Sequence, residues 1–210
     1  MESNLWHTAL PGSEFDYLAL MGVLADYKRP RDKVTKLLKH KDIIRIKKGL
    51  YVLGKKLRRD PVNRELLGNL IYGPSYISLE YALSMHQLIP ERAETVTSVT
   101  LNKTKSFSTP MGNFTYRHVK SAYYSLGQYI QFLPDGRSYL LACPEKALAD
   151  KVYFSNRLYT VSDLKAYLFD DLRIDYKDFA GLDADFFQEL ADAAGKRPLT
   201  LLAETARGKA

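Results

Sequence analysis

An α+β fold in two unequal parts is predicted by three observations. Helical periodicity gives way to a β-hairpin pattern before residue 54, a strand-rich stretch occupies the middle, and helical patterns return after Pro144. With 210 residues, 46% hydrophobic and 26% charged, the chain has enough apolar surface for one or two cored domains.

Taken in order, Ser13-Glu-Phe-Asp16 resembles a capping box, and Leu18, Met21 and Leu24 recur at helical spacing behind it, which predicts a helix from Ser13 to about Leu24. Arg29-Pro-Arg-Asp32 opens a second helix, with Pro tolerated in the first turn and Asp32 complementing the positive helix end. At 100° per residue, Val34, Leu37, Leu38 and Lys41 share one face, leaving a wide basic face opposite. Ile43 to Leu53 then reads as two strands about a turn at Lys47-Lys48-Gly49, where Gly49 supplies a positive φ. Helix, helix and basic-tipped hairpin make a winged helix over residues 1–54, with residues 55–60 as a basic linker.

A larger domain is expected over 61–203. Val62, Leu66, Leu67 and Leu70 suggest a helix, and Ser78 to His86 another. Strands are predicted at Thr95–Leu101, at Phe107–Thr109 and Phe114–Val119 joined as a hairpin across Pro110-Met-Gly-Asn113, and at Tyr129–Leu133 and Tyr139–Leu141 about a turn at Pro134-Asp-Gly136, forming a small, mostly antiparallel sheet. Helices follow with Ala147, Leu148 and Val152 inside, then from a capping box at Thr160 to Asp163, then through Phe186, Phe187 and Leu190. The segment 204–210 is expected to fray.

Charge is the strongest pointer to function. Lys28 to Arg59 holds 14 basic and 2 acidic residues, whereas residues 71–210 carry 16 of each sign. Such one-signed charge repels itself unless a polyanion is the partner, so double-stranded DNA is expected. Arg29, Lys33, Thr35, Lys36, Lys39 and His40 would face the major groove or its edges, with Arg29 and Arg31 best suited to bidentate guanine contacts. Arg45, Lys47 and Lys48 would touch backbone or minor groove, and Lys55, Lys56, Arg58 and Arg59 would add phosphate contacts.

Other chemistries have weaker support. Cys143 is the sole cysteine, so no disulfide is expected, and the cytoplasm is the expected compartment. No apolar run reaches the roughly 18–20 residues of a membrane helix, and the start lacks a signal-peptide layout. His7, His40, His86 and His118 have no metal-ligand spacing, and neither metal nor cofactor is expected. Asp163-Leu164-Lys165 matches half of a nuclease pattern but overlaps a capping box. Gly12-Ser13 and Asp183-Ala184-Asp185 lie too far apart in sequence to suggest a nucleotidyltransferase site. Lys146 and Asp150 are spaced for an i,i+4 ion pair, so no catalytic role is assigned to them. Tyr123-Tyr124 is a candidate contact surface.

Three stretches taken together resemble one family. Ile43 to Val52, then Pro74-Ser-Tyr-Ile-Ser-Leu-Glu-Tyr-Ala-Leu-Ser84 with Pro90-Glu91, then Thr109 to Tyr116 and Ala142-Cys-Pro-Glu-Lys-Ala-Leu-Ala-Asp150 resemble, in order, the blocks of AbiEi-type antitoxins of type IV toxin–antitoxin and abortive-infection systems. The resemblance spans about residues 13–155. It implies a winged helix that binds inverted repeats upstream of its own operon, and a C-terminal domain that counters a cognate nucleotidyltransferase-like toxin or protects its target. It implies no enzymatic activity. The residues 39–42 depart from the family, in that Lys39-His-Lys-Asp42 stands where many relatives end the helix with glycine. A transcriptional regulator of the same architecture without a toxin, or a nucleic-acid-processing enzyme with a winged-helix targeting arm, remain the alternative readings. Whether the chain acts as a monomer or a dimer is left open.

Overall fold

The computed structural model describes residues 5–58 and 60–208, so Arg59 lies outside the described residues. A 3-10 turn (Leu5–Ala9) precedes β1 (Glu14–Asp16), α1 (Tyr17–Val23), α2 (Pro30–Lys39), β2 (Ile43–Lys47) and β3 (Leu50–Leu53). The three strands form an antiparallel sheet in the order β1-β3-β2. The helix predicted from Ser13 starts later, because Glu14 to Asp16 pair with Leu50 to Val52 of β3, a partner invisible to local patterning. Asp16 becomes the cap, accepting from the Ala19 N–H. Trp6, Phe15, Leu20, Leu24, Val34, Leu37, Ile43, Tyr51 and Leu53 close a small core between these elements.

The remainder begins with α3 (Arg64–Ile71), capped by the Asn63 side chain, then β4 (Ser75–Ile77), α4 (Leu79–Met85), β5 (Val96–Thr100), β6 (Lys105–Thr109) and β7 (Gly112–His118). It continues through α5 (Ser121–Tyr124), β8 (Gln128–Phe132), β9 (Ser138–Ala142), α6 (Pro144–Tyr153) and α7 (Val161–Lys165), which runs into a π-helical stretch (Ala166–Asp171). The last helices are α8 (Tyr176–Ala180), α9 (Ala184–Ala194) and α10 (Arg197–Arg207).

The sheet is larger than expected and mixed. Its six strands run β6-β7-β5-β4-β9-β8, with β5/β7 and β4/β9 parallel and the other pairs antiparallel. Both predicted hairpins, β6–β7 and β8–β9, form. Each returns its second strand to the inside of the sheet, and that insertion creates the parallel neighbours. Side chains of β4 alternate between two covered faces: Ile77 packs toward Gly68 of α3, while Tyr76 points to Asp150 of α6. Leu70 is exposed rather than part of the α3 core stripe, which is Leu66, Leu67 and Ile71. From Glu204 to Arg207 the expected fraying does not occur, and Lys209 and Ala210 lie outside the described residues. α10 continues to Arg207 with Thr205 and Ala206 buried, because its apolar stripe packs on α6, α7 and α9.

The two parts are joined by more than chain connectivity. Ile46, Leu50 and Val52 of the hairpin belong to the large core rather than the small one. Glu14, whose side chain is fully buried, is paired with Arg137 at the β8–β9 turn and accepts from the Asn63 N–H at the start of α3. Leu57 packs on the small core and the Ser13 hydroxyl donates to the Asp60 carbonyl at 3.5 Å, so the connection between the two parts is held at both points.

Deep in the second part, Lys146 and Asp150 of α6 form the i,i+4 pair, 3.3 Å apart and wholly buried. Ser78 Oγ and Tyr76 Oη both donate to Asp150 Oδ2, at 2.6 and 3.0 Å, and Lys146 Nζ donates to the Tyr123 carbonyl at 2.8 Å. Burial pulls the Lys146 ammonium down to about 8 against the opposing attraction of Asp150. Replacing one partner of such a pair strands the other charge. Lys146→Met or Asp150→Leu alone should therefore cost about 3–5 kcal/mol in denaturant unfolding, while the double substitution recovers most of that loss.

Burial also holds the phenols of Tyr76, Tyr116 and Tyr123 well above their ordinary range, and the Asp150 charge adds to this for Tyr76 and Tyr123. The unfolded chain loses these protons near pH 10, so it binds fewer protons than the folded state above that pH. Stability is then retained below about pH 10 and falls as pH rises beyond it. Equilibrium unfolding across that range measures the fall, and Tyr116→Phe should make it shallower.

Candidate nucleic-acid interface

Helix α2 carries its basic side chains because its apolar ones are spent inward: Val34 and Leu37 are buried, whereas Arg31, Thr35, Lys36, Lys39 and the flanking Arg29 and His40 are exposed. Among the residues of α2, Asp32 is the only carboxylate, 3.8 Å from Arg29, with both side chains largely in water, where such a pair contributes little. Thr35 Oγ1 donates to the Arg31 carbonyl, leaving its lone pairs free to accept. Lys33 is half-buried, its ammonium 5.1 Å from the centre of the Tyr27 ring. Around the start of α2 lies an open concavity of about 740 Å³, lined by Tyr27, Arg29, Lys33, Thr35 and Lys36 among others.

α2 ends without a glycine. Lys41 itself takes the left-handed conformation at φ 57°, and the Lys41 and Asp42 N–H groups donate to Leu38 and Leu37. Gly54 then passes so close to the Lys41 carbonyl that a Cβ there would sit 1.9 Å from its oxygen. This close approach of two backbone segments sets the hairpin against α2.

At the hairpin the expected contacts separate. Lys48 is exposed at the turn beside Gly49, whose φ is +85°, and Arg45 is exposed on β2. Lys47 turns the other way: its Nζ donates to the Ile71 carbonyl at the end of α3. Burial, then the nearby Lys105 charge, lower its pKa. The turn placed Lys47 at the tip, but a β-bulge between Arg45 and Lys47 redirects it. Lys55 and Lys56 are exposed and Arg58 is partly so, on the side of the anchored connection.

Side chains weighed for other chemistries have structural roles. Asp163 completes a capping box with Thr160, and Asp183 caps α9 by accepting from the Asp185 and Phe186 N–H groups. Burial pushes the Cys143 thiol up to about 11, so it is protonated at neutral pH and is no ready nucleophile. Tyr123 and Tyr124 are buried and offer no contact surface. No helix among the described residues is long and apolar enough to cross a membrane. In comparisons with protein-family models and with curated proteins, the chain matches none.

The separation of Lys47 from Lys48 is measurable. If this face engages duplex DNA, Lys48→Glu or Lys36→Glu should weaken binding to every duplex several-fold and reduce the salt slope by about 1, whereas Lys47→Met should leave affinity within about twofold. Fluorescence anisotropy on two unrelated duplexes distinguishes these outcomes.

Proposed function

We propose that the chain binds duplex DNA, with α1, α2 and the β2–β3 hairpin acting as a winged helix. We further propose that it serves as an antitoxin and autorepressor of the AbiEi type. The observation that carries the DNA reading is the exposed face from Arg29 to His40. Its cations project from a helix beside an exposed Lys48, and among the described residues Asp32 is the carboxylate paired with them. Helix N-terminal residues and a hairpin tip are what a duplex needs for one element in the major groove and one along the backbone. The antitoxin role rests on the resemblance in the ordered blocks between Ile43 and Asp150.

Inverted repeats would engage two copies, either as a dimer or side by side. If each copy neutralises about five phosphates, the logarithm of affinity falls against the logarithm of salt with a slope of roughly −4 to −5 per copy. An affinity independent of salt overturns the DNA reading. For the antitoxin reading, the full-length protein and its Lys36→Glu/Lys48→Glu variant are each co-expressed with the adjacent gene. Charge-reversed full-length chain suits this purpose better than removal of residues 1–60, which would strip Ile46, Leu50 and Val52 from the large core. Survival with both proteins is the expected result, and death with both overturns antitoxin activity.

A further inference from the structure

The six-stranded sheet leaves its β6–β7 end uncovered on one face, where Ser106 and Arg117 are exposed. On the α3 face, Val96, Phe114 and Tyr116 are buried. On the opposite face, register aligns Thr97 of β5, Thr115 of β7 and Ser106 of β6 in one rung across three adjacent strands. Thr97 meets the start of α4, its hydroxyl donating to the Ser78 carbonyl and accepting from the Tyr81 N–H, and past it Thr115 and Ser106 floor an open groove of about 680 Å³. Its walls are the start of α4 at Glu80, the segment from Arg92 to Thr95, and the end of α6 at Lys151 and Phe154.

The groove differs from a merely solvated sheet face in its cations. Arg117, across from Val99 in the register, lays its guanidinium over the Phe154 ring at 4.5 Å, which restricts its rotamers and leaves its N–H edge free. Arg92 stands exposed in the same lining. Among the described residues neither arginine meets a carboxylate, whereas Lys151 is paired with Glu80 at 2.5 Å. Glu94 adds a second carboxylate to the lining. Two arginine forks suit one phosphate group, flanked by hydroxyls that donate or accept and by carboxylates that accept only. A polyphosphate would bring more negative charge than these arginines balance and would press it on Glu80 and Glu94. A sugar with free hydroxyls gives those carboxylates donors.

We propose that this groove binds a nucleoside monophosphate, its phosphate between Arg92 and Arg117 and its ribose hydroxyls toward Glu94 and Glu80. The site lies on the face of the sheet opposite α3. The basic hairpin, through Lys47, rests on α3, so ligand and duplex would occupy separate surfaces.

Titration calorimetry of the full-length protein at low salt with AMP, GMP, CMP and UMP separately should give saturable binding to at least one. The matching nucleoside and inorganic phosphate should each bind at least about tenfold more weakly, as loss of charge-assisted bonds or of the sugar contacts requires. Arg117→Ala and Arg92→Ala should each weaken the nucleotide at least about tenfold while leaving duplex affinity unchanged, and Lys36→Glu should do the reverse. Thr115→Val, an isosteric change on a strand, provides a variant whose fold is preserved and should also weaken binding. Absence of saturation with all four nucleotides overturns the proposal, as does inorganic phosphate binding as tightly as the nucleotide, or unchanged affinity in the arginine variants. None of these results bears on duplex binding.

Discussion

Lys146 and Asp150 face each other with no solvent exposure, and the arrangement of the second part follows from keeping both satisfied. A charge taken out of water costs several kcal/mol unless opposite charge and hydrogen bonds replace the hydration it loses. Here the replacements come from four elements: Tyr76 on β4, Ser78 at the entry to α4, the Tyr123 carbonyl of α5, and the pair itself on α6. The Tyr123 ring also lies against the ammonium, its centroid 3.0 Å from Nζ. Shifting any one of these elements leaves a polar atom or a charge unpaired in the interior. The contribution is therefore chiefly to uniqueness of packing, since an apolar pair of equal volume could supply comparable stability.

That rigid body bears directly on the basic module. The β2–β3 hairpin is shared, with Ile43, Tyr51 and Leu53 in the small core and Ile46, Leu50 and Val52 in the large one. The Glu14–Arg137 pair closes the same joint from the other side. α2 and Lys48 thus project from a platform rather than from a tethered bead. A basic face held this way loses little conformational freedom on meeting a rigid polyanion, which favours affinity per contact.

Elements whose determinants lie within a few residues were legible. The Thr160 capping box, the hairpins at Gly49, Gly112 and Gly136, and the inward stripe of Val34 and Leu37 are local matters of caps, turns and period. The exposed basic face of α2 is the complement of that stripe, so the core of the candidate site was legible too. Lys47 was not, because its carbonyl partner, Ile71, is 24 residues away and the bulge that turns it leaves no mark in composition. Tyr123 and Tyr124 were misplaced for a related reason: a short helix gives no sign of the distant partners that bury it, here Tyr153 of α6 against Tyr123, Tyr76 of β4 against Tyr124, and α9.

The amino-acid sequence by itself determined where charge, turns and helix starts fall, since these depend on residue identity and near neighbours. It also set up Lys146 and Asp150 as a pair by placing them one helical turn apart. Tertiary structure alone decided that this pair is buried, that the hairpins insert to make parallel neighbours, that β1 replaces the first turn of a helix, and that Thr97, Thr115 and Ser106 meet in one rung. Each of those outcomes joins residues far apart in the chain. Their free energy comes from desolvation and packing, which exist only once the partners have met.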